Sequence, residues 1–345
     1  MERPGVYTYE EIFSQPVAWK EAIRKLDSQA REIGDFIHHT NHRQVIFTGC
    51  GSTYYLSLAA AALFQEVTGI LARGIPASEL WLSPQAYFPT GESITLIAIS
   101  RSGETTETVQ ACESFRKRGH GSLITLACDP DSSLAKMGSL NLAFPSGMEQ
   151  SIAQTRAFST LYLGVLGLSA LWNHYPKQLQ PLSSLPPICE KILSRYQPLA
   201  TKHGSNLELD RIYFLGSNGR YGLACELSLK MKEMSITHSE AFHFLEFRHG
   251  PKAMINRNTL VVGLVSETYA QQEVEVLKEM EELGAEIVTM GERDADISFE
   301  SGLQEVNRNI LYLPFGQMLA FERSIAKGFD PDHPLHLDAV VKLTN

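Results

Sequence analysis

The chain has little basic charge and no apolar run of membrane length. Its 30 Lys and Arg residues against 39 Asp and Glu residues give a formal net charge of −9 at pH 7. Binding a nucleic acid requires an electropositive face. The longest apolar stretch, residues 161–172, is shorter than the roughly 20 residues that span a bilayer. We therefore expect neither a nucleic acid nor a membrane among the partners of this protein.

Signals for secretion and for disulfide or metal cross-links are also missing. The N-terminal residues show no basic segment followed by an apolar one, so we expect a cytoplasmic protein. No CxxC pair and no Cys/His ligand spacing occurs, which predicts neither a disulfide framework nor a metal site. Cys50, beside a glycine turn, is a candidate nucleophile, but no recognisable base is near it in sequence. We expect all the cysteines to be reduced core residues: Cys50, Cys112, Cys128, Cys189 and Cys225.

What the sequence does contain is an internal duplication. Residues 44–63 match residues 211–230, and both segments are typical of a strand, a tight glycine turn and a long helix. Two further strands of the first half, residues 93–100 and 121–127, match residues 258–266 and 285–290 in the same order and at nearly the same spacing. This agreement indicates two copies of one domain.

Each copy has the pattern strand, helix, strand, helix, strand, and its strands are continuous apolar runs. Such runs are typical of a parallel sheet covered by helices on both faces. We predict an α/β protein with two tandem, doubly wound parallel-sheet domains of the flavodoxin-like type, which bind ligands beyond the carboxyl ends of their strands. The expected divisions are a helical segment at 1–40, a first domain at 41–180, a proline-rich junction at 175–187, a second domain at 188–330 and a C-terminal tail at 331–345.

A hydroxyl-rich segment follows the second strand of the first copy. Residues 100–105 are SRSGET, whereas the matching residues 266–271 are SETYAQ. Capping of the next helix by one serine is one explanation, since Ser and Thr commonly begin helices. The number of hydroxyls exceeds what capping needs, and Thr53, Ser132 and Ser133 fall at the same sheet edge. The pattern predicts a cup for a sugar phosphate that needs no metal.

The first glycine turn has a rival interpretation as a dinucleotide site. Residues 48–53, TGCGST, resemble the start of a dinucleotide fingerprint. The third glycine is missing, and no acidic residue ends the following strand. We therefore expect no nicotinamide cofactor, and nothing else in the sequence indicates a cofactor.

The long helix after the first strand of the second copy carries charges that its counterpart lacks. Glu226 and Lys230 match Ala59 and Leu63 of the first copy. Glu233, one turn further on, has an acidic counterpart, so the duplication does not distinguish it. One explanation is an exposed i, i+4 ion pair, which contributes only a few tenths of a kcal/mol. The surrounding residues are rich in Leu and Met, so a functional role for at least one of Glu226, Lys230 and Glu233 also stays open.

The segment from Ile236 to Ile255 contains three histidines between apolar residues, with a Gly-Pro turn after His249. A turn histidine is commonly solvated or a capping residue. A group that titrates near neutral pH beside a partly desolvated carboxylate is also the pair that sugar ring opening and enolisation require. Glu233 is the nearest candidate for that carboxylate.

Three motifs together, ISRSGETTET, LGSNGRYGLACELSLKMKE and HSEAFHFLEFRHGPK, resemble the tandem sugar isomerase (SIS) domain proteins. The resemblance covers essentially the whole chain and is strongest to stand-alone relatives of the isomerase half of glucosamine-6-phosphate synthase, including glucosamine- and galactosamine-6-phosphate deaminases. It implies a metal-independent deaminase or aldose–ketose isomerase that enolises a hexosamine 6-phosphate. It also implies the residues that bind the phosphate: Ser52, Thr53, Ser100, Arg101, Ser102 and Thr105.

The resemblance implies catalytic roles as well. Glu233 matches the carboxylate that moves a proton between C1 and C2, Lys230 matches a nearby active-site lysine, and His249 matches the ring-opening histidine. In the family that histidine comes from the partner subunit, so a homodimer is implied.

Departures from the family and rival functions stay open at this point. Arg101 stands where the synthase has glutamine, and Ala339 stands where the synthase tail has a lysine. Either Lys342 replaces that lysine or its step is not needed. A non-catalytic sugar-phosphate sensor would keep the loop without needing Glu233 or His249. A scaffolding protein would need neither site. An isomerase or deglycase of another phosphosugar is a further alternative.

Overall fold

The computed structural model describes residues 3–40, 43–88, 93–119, 121–173 and 177–341. The chain divides into two compact units, and each contains one five-stranded sheet. The first-sheet unit comprises Val17–Glu149, Arg156–Ser183 and Asp338–Asn345. The second-sheet unit comprises Met1–Pro16, Gln150–Thr155 and Ser184–Leu337.

The first half of the chain begins with two helices and then alternates strands with helices. Its elements are α1 (Val6–Phe13), α2 (Gln15–His39), β1 (Gln44–Gly49), α3 (Ser52–Thr68), β2 (Leu71–Pro76), α4 (Ala77–Leu82), α5 (Pro84–Tyr87), β3 (Ile94–Ser100), α6 (Thr106–Lys117), β4 (Ser122–Ala127), β5 (Leu140–Ala143) and α7 (Arg156–Asn173). Short 3₁₀ helices lie at Leu134–Lys136 and Pro145–Gly147.

The second half repeats this alternation after a 3₁₀ helix at Lys177–Ser184. Its elements are α8 (Leu185–Gly204), β6 (Arg211–Gly216), α9 (Gly219–Ser235), β7 (His238–Phe242), α10 (Phe244–Phe247), β8 (Thr259–Leu264), α11 (Ala270–Glu282), β9 (Glu286–Gly291), β10 (Ile297–Ser298), α12 (Glu305–Arg308) and α13 (Leu313–Ala326). Further 3₁₀ helices lie at Pro251–Met254 and Asn309–Tyr312.

The two sheets have the same strand order. The first is β2-β1-β3-β4-β5, and the second, taken from its other edge, is β7-β6-β8-β9-β10. All neighbouring strands are parallel. The direction of winding changes between β1 and β3 and between β6 and β8, and doubly wound sheets bind ligands beyond the strand ends at such a point. The predicted fold class is confirmed.

The strands form where the sequence has unbroken apolar runs. All residues of β1, β3 and β8 are buried, as a parallel sheet covered on both faces requires. Helix α3 packs on β1 and β2, and α9 packs on β6 and β7. Strand β2 and helix α3 approach each other closely, since a Cβ on Gly74 of β2 would lie 2.6 Å from the main-chain oxygen of Ser57 in α3. Only glycine allows that contact.

The sequence patterns do not predict strand β7. It pairs in parallel with β6, with Arg211 opposite His238. The strand contains a histidine, a serine and a glutamate, so it shows no apolar run. Its edge position explains the composition, because an edge strand has only one neighbouring strand and can leave polar side chains in water. In the second sheet β7 takes the place that β2 takes in the first.

Residues just after α13 hold the start of α1 within the second-sheet unit. The N-cap residue of α1 is Gly5, which has no side chain to satisfy the first backbone N–H groups. The carboxylate of Asp332 accepts hydrogen bonds from the main-chain nitrogens of Tyr7 at 3.1 Å and Thr8 at 2.7 Å, and Asp330 accepts one from Gly5 at 2.9 Å. The beginning of the predicted tail therefore acts as the cap of the first helix.

The proline-rich junction is helical rather than extended. The 3₁₀ helix at Lys177–Ser184 runs directly into α8, and residues 175 and 176 of the predicted junction lie outside the described part of the chain. Pro186 and Pro187 fall in the first turn of α8. Prolines are tolerated there because the first backbone nitrogens of a helix need no intrahelical acceptor.

Candidate active site

Hydrogen bonds of hydroxyl groups within the loop after β3 stabilise its conformation. The Ser100 hydroxyl accepts a hydrogen bond from the Gly103 nitrogen at 3.1 Å and lies 3.4 Å from the Thr105 hydroxyl. Gly103 has a φ of +67°, and a Cβ on it would lie 2.1 Å from the hydroxyl oxygen of Ser132. Glycine is therefore required at this position both for its backbone conformation and for its contact with the next loop.

The helix-capping explanation for these hydroxyls is wrong. The N-cap residue of α6 is Thr105, and its side chain makes no capping hydrogen bond. The Ser102 hydroxyl accepts from the Glu104 nitrogen at 3.2 Å, so it also shapes the loop rather than the helix. The carboxylate of Glu104 accepts from the nitrogen and the hydroxyl of Ser133 at 2.6 and 3.0 Å. The segments after β3 and β4 are thus tied together, and a phosphate-binding role of Ser132 and Ser133 stays a prediction.

The turn after β1 has a similar internal closure. The Thr53 hydroxyl donates to the Cys50 carbonyl at 2.9 Å and accepts from the Cys50 nitrogen at 3.0 Å. A Cβ on Gly49 would lie 2.5 Å from that hydroxyl, so the turn depends on glycine before it and threonine within it. Ser52 is buried at the first position of α3. The phosphate-binding roles of Ser52 and Thr53 stay predictions.

Arg101 connects the loop after β3 to the C-terminal tail. Its guanidinium lies 3.3 Å from the carboxylate of Glu149, whose side chain is fully buried, and donates to the main-chain oxygen of Ala339 at 3.1 Å. Arg101 itself is 8% exposed. Its predicted contact with phosphate stays a prediction, because its observed contacts are a carboxylate and a carbonyl. Lys342, the proposed substitute for the tail lysine, lies outside the described residues.

Helix α9 carries a buried row of charges. The Lys230 Nζ lies 3.3 Å from Oε1 of Glu226, and both side chains have no exposed surface. Lys230 also donates to the carboxylate of Glu233, whose side chain is 19% exposed. The exposed ion pair considered from the sequence is therefore wrong. One ammonium group serves two carboxylates, and only Glu233 reaches solvent.

The matching helix of the first-sheet unit shows that the fold does not require these charges. Ala59 and Leu63 occupy the equivalent positions of α3 and are buried in the apolar core. Removing charges from water costs several kcal/mol per ion, which the attraction between them only partly offsets. The fold therefore does not account for a buried ionic row at a position that accepts alanine and leucine in the matching helix.

His249 lies in an exposed segment of the second-sheet unit. Phe244 and Phe247 of α10 are buried and anchor this segment, and the carboxylate of Glu279 accepts from Arg248 at 3.1 Å. Gly250 has a φ of +126°, which fits the predicted Gly-Pro turn. Within one chain, no hydrogen bond or ion pair among the described residues joins His249 to Lys230 or Glu233. The structure brings the lysine and the glutamate together and leaves the histidine facing solvent.

Sequence reasoning missed Glu149 and correctly disfavoured Cys50. Glu149 is the buried partner of Arg101 but lies 48 positions away in the chain, so no local pattern marks it. Burial raises the pKa of the Cys50 thiol to about 11, although its hydrogen bond with Thr108 opposes the rise. A thiol with that pKa is a poor nucleophile at neutral pH.

Membrane-spanning helices and groups of metal-ligating side chains are both absent from the described part of the chain. None of its helices is long and apolar enough to cross a membrane. The same residues contain no group of three or more His, Cys, Asp or Glu side chains arranged to hold a metal ion.

Curated proteins similar to the chain include aminotransferases. The chain is 26% identical over 356 residues to the glutamine–fructose-6-phosphate aminotransferase (isomerizing) of Shewanella oneidensis. It is 30% identical over 324 residues to the aminotransferase of the same name from Helicobacter pylori. These alignments cover 96% and 86% of this chain but only 58% and 52% of the relatives. The chain thus spans little more than half the length of the curated relatives it matches.

Solved structures and a family model complete the comparison. The structure of glucosamine-6-phosphate deaminase from Thermotoga maritima is 30% identical, with a TM-score of 0.75, and the alignment covers 94% of this chain and all of that one. Tagatose-6-phosphate ketose/aldose isomerase from Escherichia coli shares the fold with a TM-score of 0.85 at 22% identity, over 97% of this chain and all of that one. The SIS domain model matches residues 39–169 and 208–298, more than half of the chain. The chain therefore belongs to the SIS domain family, whose members include phosphosugar isomerases.

Proposed function

We propose that the protein is a metal-independent hexosamine-6-phosphate deaminase that works by aldose–ketose isomerisation. The observation that carries this proposal is the buried row of Glu226 and Lys230 beside the partly exposed Glu233. The duplicated helix places apolar side chains at the first two positions, so chemistry rather than folding accounts for the charges. The 30% identity to the Thermotoga maritima deaminase supports the choice of an amino sugar phosphate as substrate.

The loop after β3 is the proposed phosphate-binding element. Its hydroxyls, from Ser100, Ser102 and Thr105, lie at the start of α6, where backbone N–H groups without intrahelical acceptors favour an anion. The turn with Ser52 and Thr53 follows the adjacent strand β1. This donor set suits a phosphate without a metal ion.

The α9 row supplies the proposed proton transfer. After His249 opens the sugar ring, Glu233 removes the proton from C2 of the open-chain aldehyde and returns it to C1 through an enolamine. The C1 aldehyde becomes an alcohol while the C2 amine becomes a protonated ketimine, so no external oxidant or reductant is needed. Water adds to the ketimine and ammonia leaves, which gives a ketose 6-phosphate. Acid–base help of this kind contributes about 10² to 10⁴ in rate.

Lys230 has a positioning role in this proposal. Its ammonium group contacts both Glu226 and Glu233, so it holds the second carboxylate in one orientation on the helix. Glu226 in turn neutralises the lysine on its buried side. A fixed carboxylate is what repeated proton transfer between two adjacent carbons requires.

The direct test is an assay of products with glucosamine 6-phosphate and galactosamine 6-phosphate. We expect ammonia and a ketose 6-phosphate in equal amounts. The variant Glu233→Gln should lose a factor of about 10² to 10⁴ in kcat and still bind the sugar phosphate. Glu66→Gln, at the matching position of α3, is the control and should keep full turnover. Binding without ammonia or ketose from any phosphosugar would show a sensor instead, and normal turnover of Glu233→Gln would remove that residue from the mechanism.

We also propose a homodimer in which His249 acts in the site of the partner subunit. The exposure of His249 and its lack of a bond to Glu233 within the chain support this arrangement. Mixing and refolding equal amounts of Glu233→Gln and His249→Asn tests it. Half of the dimers should contain one intact site, which restores about one quarter of the wild-type activity. No recovery in a mixture that forms heterodimers would contradict the shared site.

A further inference from the structure

The segment after β8 is built like the loop after β3. β3 and β8 hold the same place in the order of their sheets, and Ser100 and Ser266 match in the duplication. The Ser266 hydroxyl accepts from the nitrogens of Thr268 at 3.0 Å and Tyr269 at 3.2 Å. Ser100 accepts in the same way from Gly103 at 3.1 Å. Each serine therefore closes its own loop and keeps its hydroxyl proton for another acceptor.

In the second-sheet unit that acceptor is the carboxylate of Glu305. Its two oxygens lie 2.9 and 3.0 Å from the Ser266 hydroxyl. The main-chain nitrogen of Glu267 donates to the same carboxylate at 3.0 Å, and Arg220 forms an ion pair with it. A hydroxyl, a backbone N–H and a guanidinium that converge on one point are a typical set of anion donors.

The arginine of this cluster is buried and has a donor left over. Arg220 is 3% exposed, and its Nε has no hydrogen-bond partner among the described residues. The 2% exposed Glu273 shares the guanidinium at 3.0 Å and accepts from the Ser266 nitrogen at 2.6 Å. Buried donors without partners are rare. The guanidinium thus sits in a pocket with more donors than its neighbours use.

Two ion pairs of Arg308 hold the helix that carries Glu305. Glu305 begins the four-residue helix α12, and Arg308 ends it. Arg308 is 1% exposed and lies 2.8 Å from the carboxylate of Glu267 and 3.4 Å from that of Glu292. Arg308 therefore anchors the C-terminal end of the short helix α12. This anchoring holds Glu305, at the other end of the helix, against the segment after β8.

We propose that this pocket, formed by Ser266, the Glu267 nitrogen and Arg220, is an anion site that the chain fills with its own Glu305. It is the counterpart of the loop after β3 in the first copy, with an internal ligand in place of the external phosphate proposed there. Because Glu273 remains beside it, the vacated pocket favours a singly charged carboxylate over a phosphate dianion. The proposal does not depend on the catalytic function, since it concerns only side chains of the second-sheet unit.

The variant Glu305→Ala tests the proposal by emptying the pocket. We expect its melting temperature to fall by at least about 5 °C, because Arg220 and the Ser266 hydroxyl lose their anion. Formate at about 0.1 M should restore several degrees by mass action, whereas sodium chloride of equal ionic strength should not. Phosphate should restore less than formate. Neither the wild type nor Glu305→Gln, whose pocket stays filled, should respond to formate beyond the chloride control.

A matched control removes a carboxylate from a surface pair of the same unit. Glu279→Ala breaks the pair with Arg248, in which the glutamate side chain is 38% exposed, and formate should not rescue it. If Glu305→Ala does not fold without added formate, the two salts are compared during refolding. The soluble yield should then be higher in formate than in chloride. An unchanged melting temperature, or equal effects of formate and chloride on Glu305→Ala, would overturn the proposal. Equal rescue by phosphate would overturn its preference for a carboxylate.

Discussion

The Nη2 of Arg101 donates a hydrogen bond to the main-chain oxygen of Ala339 at 3.1 Å. Ala339 is the position at which the resemblance to the synthase places a tail lysine. The tail thus contributes a carbonyl at this position, and Arg101, which meets it, stands where the same resemblance places a glutamine. The two departures from the family pattern are therefore in contact with each other, and their hydrogen bond joins the tail to the loop after β3.

Replacement of Arg101 should therefore destabilise the first-sheet unit and release the tail. Arg101→Gln removes the guanidinium that lies 3.3 Å from the buried carboxylate of Glu149, and we expect the free energy of unfolding to fall by about 3 to 5 kcal/mol. Urea denaturation measures the loss, and faster hydrogen exchange at residues 338–341 measures the release. The second change Glu149→Gln should recover part of the stability, because it removes the buried charge. Additive losses in the double variant would contradict this pairing.

Replacement of Lys230 should be costly, although methionine has a similar volume. Lys230→Met leaves two carboxylates without their shared cation, and we expect a loss of about 3 to 5 kcal/mol in unfolding free energy. The matched control is Leu63→Met at the equivalent position of α3, which should cost less than about 1.5 kcal/mol. Chemical denaturation of the two variants gives the comparison. Similar losses would mean that packing alone, and not charge, matters on this face of α9.

Cys50 should react slowly with alkylating reagents despite its partial exposure. With a pKa raised to about 11, on the order of one thiol in 10³ to 10⁴ is ionised near pH 7.5. The rate of modification by iodoacetamide, followed by mass spectrometry, should rise about tenfold per pH unit up to that pKa. Cys50→Ala should keep the turnover of the wild type. Rapid alkylation at neutral pH, or loss of turnover in the variant, would reopen the nucleophile hypothesis.

The burial of His203 leads us to expect that the folded protein loses stability in mild acid. It is buried in α8, and burial lowers its pKa, although Glu286, 3.1 Å from its Nδ1, opposes the shift. Because the pKa in the folded state is below the unfolded value of about 6.5, the unfolded chain takes up the proton first. The contribution of His203 to stability is therefore present above that pH and decreases as the pH falls through it.

The comparison between wild type and His203→Gln isolates this effect. The variant should lose less unfolding free energy than the wild type when urea denaturation is repeated from pH 7.5 to 5. Glu286→Gln should make the acid loss larger, since it removes the group that raises the pKa. A stability difference between wild type and His203→Gln that does not change with pH would show that His203 does not titrate in this range.

The sequence predicts the sheets better than the contacts of each side chain in the candidate site. The apolar runs of β1, β3, β4, β6, β8 and β9 are local patterns, and all six strands form. β7 is not predicted because an edge strand can carry polar residues and therefore shows no apolar run. Its pairing depends on the tertiary structure of the sheet rather than on its own sequence. The hydroxyls after β3 are recognised correctly as more than a helix cap. Their mutual hydrogen bonds, by contrast, depend on the conformation of the loop.

Duplication is the reason why one sequence gave so much information about this site. It separates what the fold needs, such as the serine that closes each loop, from what one copy adds, such as Glu226 and Lys230. It gave no information about Glu305, because the residue that fills the pocket after β8 comes from a helix 39 positions further along the chain.

The sequence by itself determined the two-sheet architecture and the two elements on which function is proposed, the loop after β3 and the charged face of α9. These depend on periodicity and turn chemistry over a few neighbouring residues. Only the tertiary structure decided that Lys230 is buried, that Arg101 meets Glu149 and Ala339, and that Glu305 fills the pocket of Ser266. Those contacts join residues that are distant in the chain. Their energies depend on how far the folded structure excludes water from the charged groups and on which other charges lie near them.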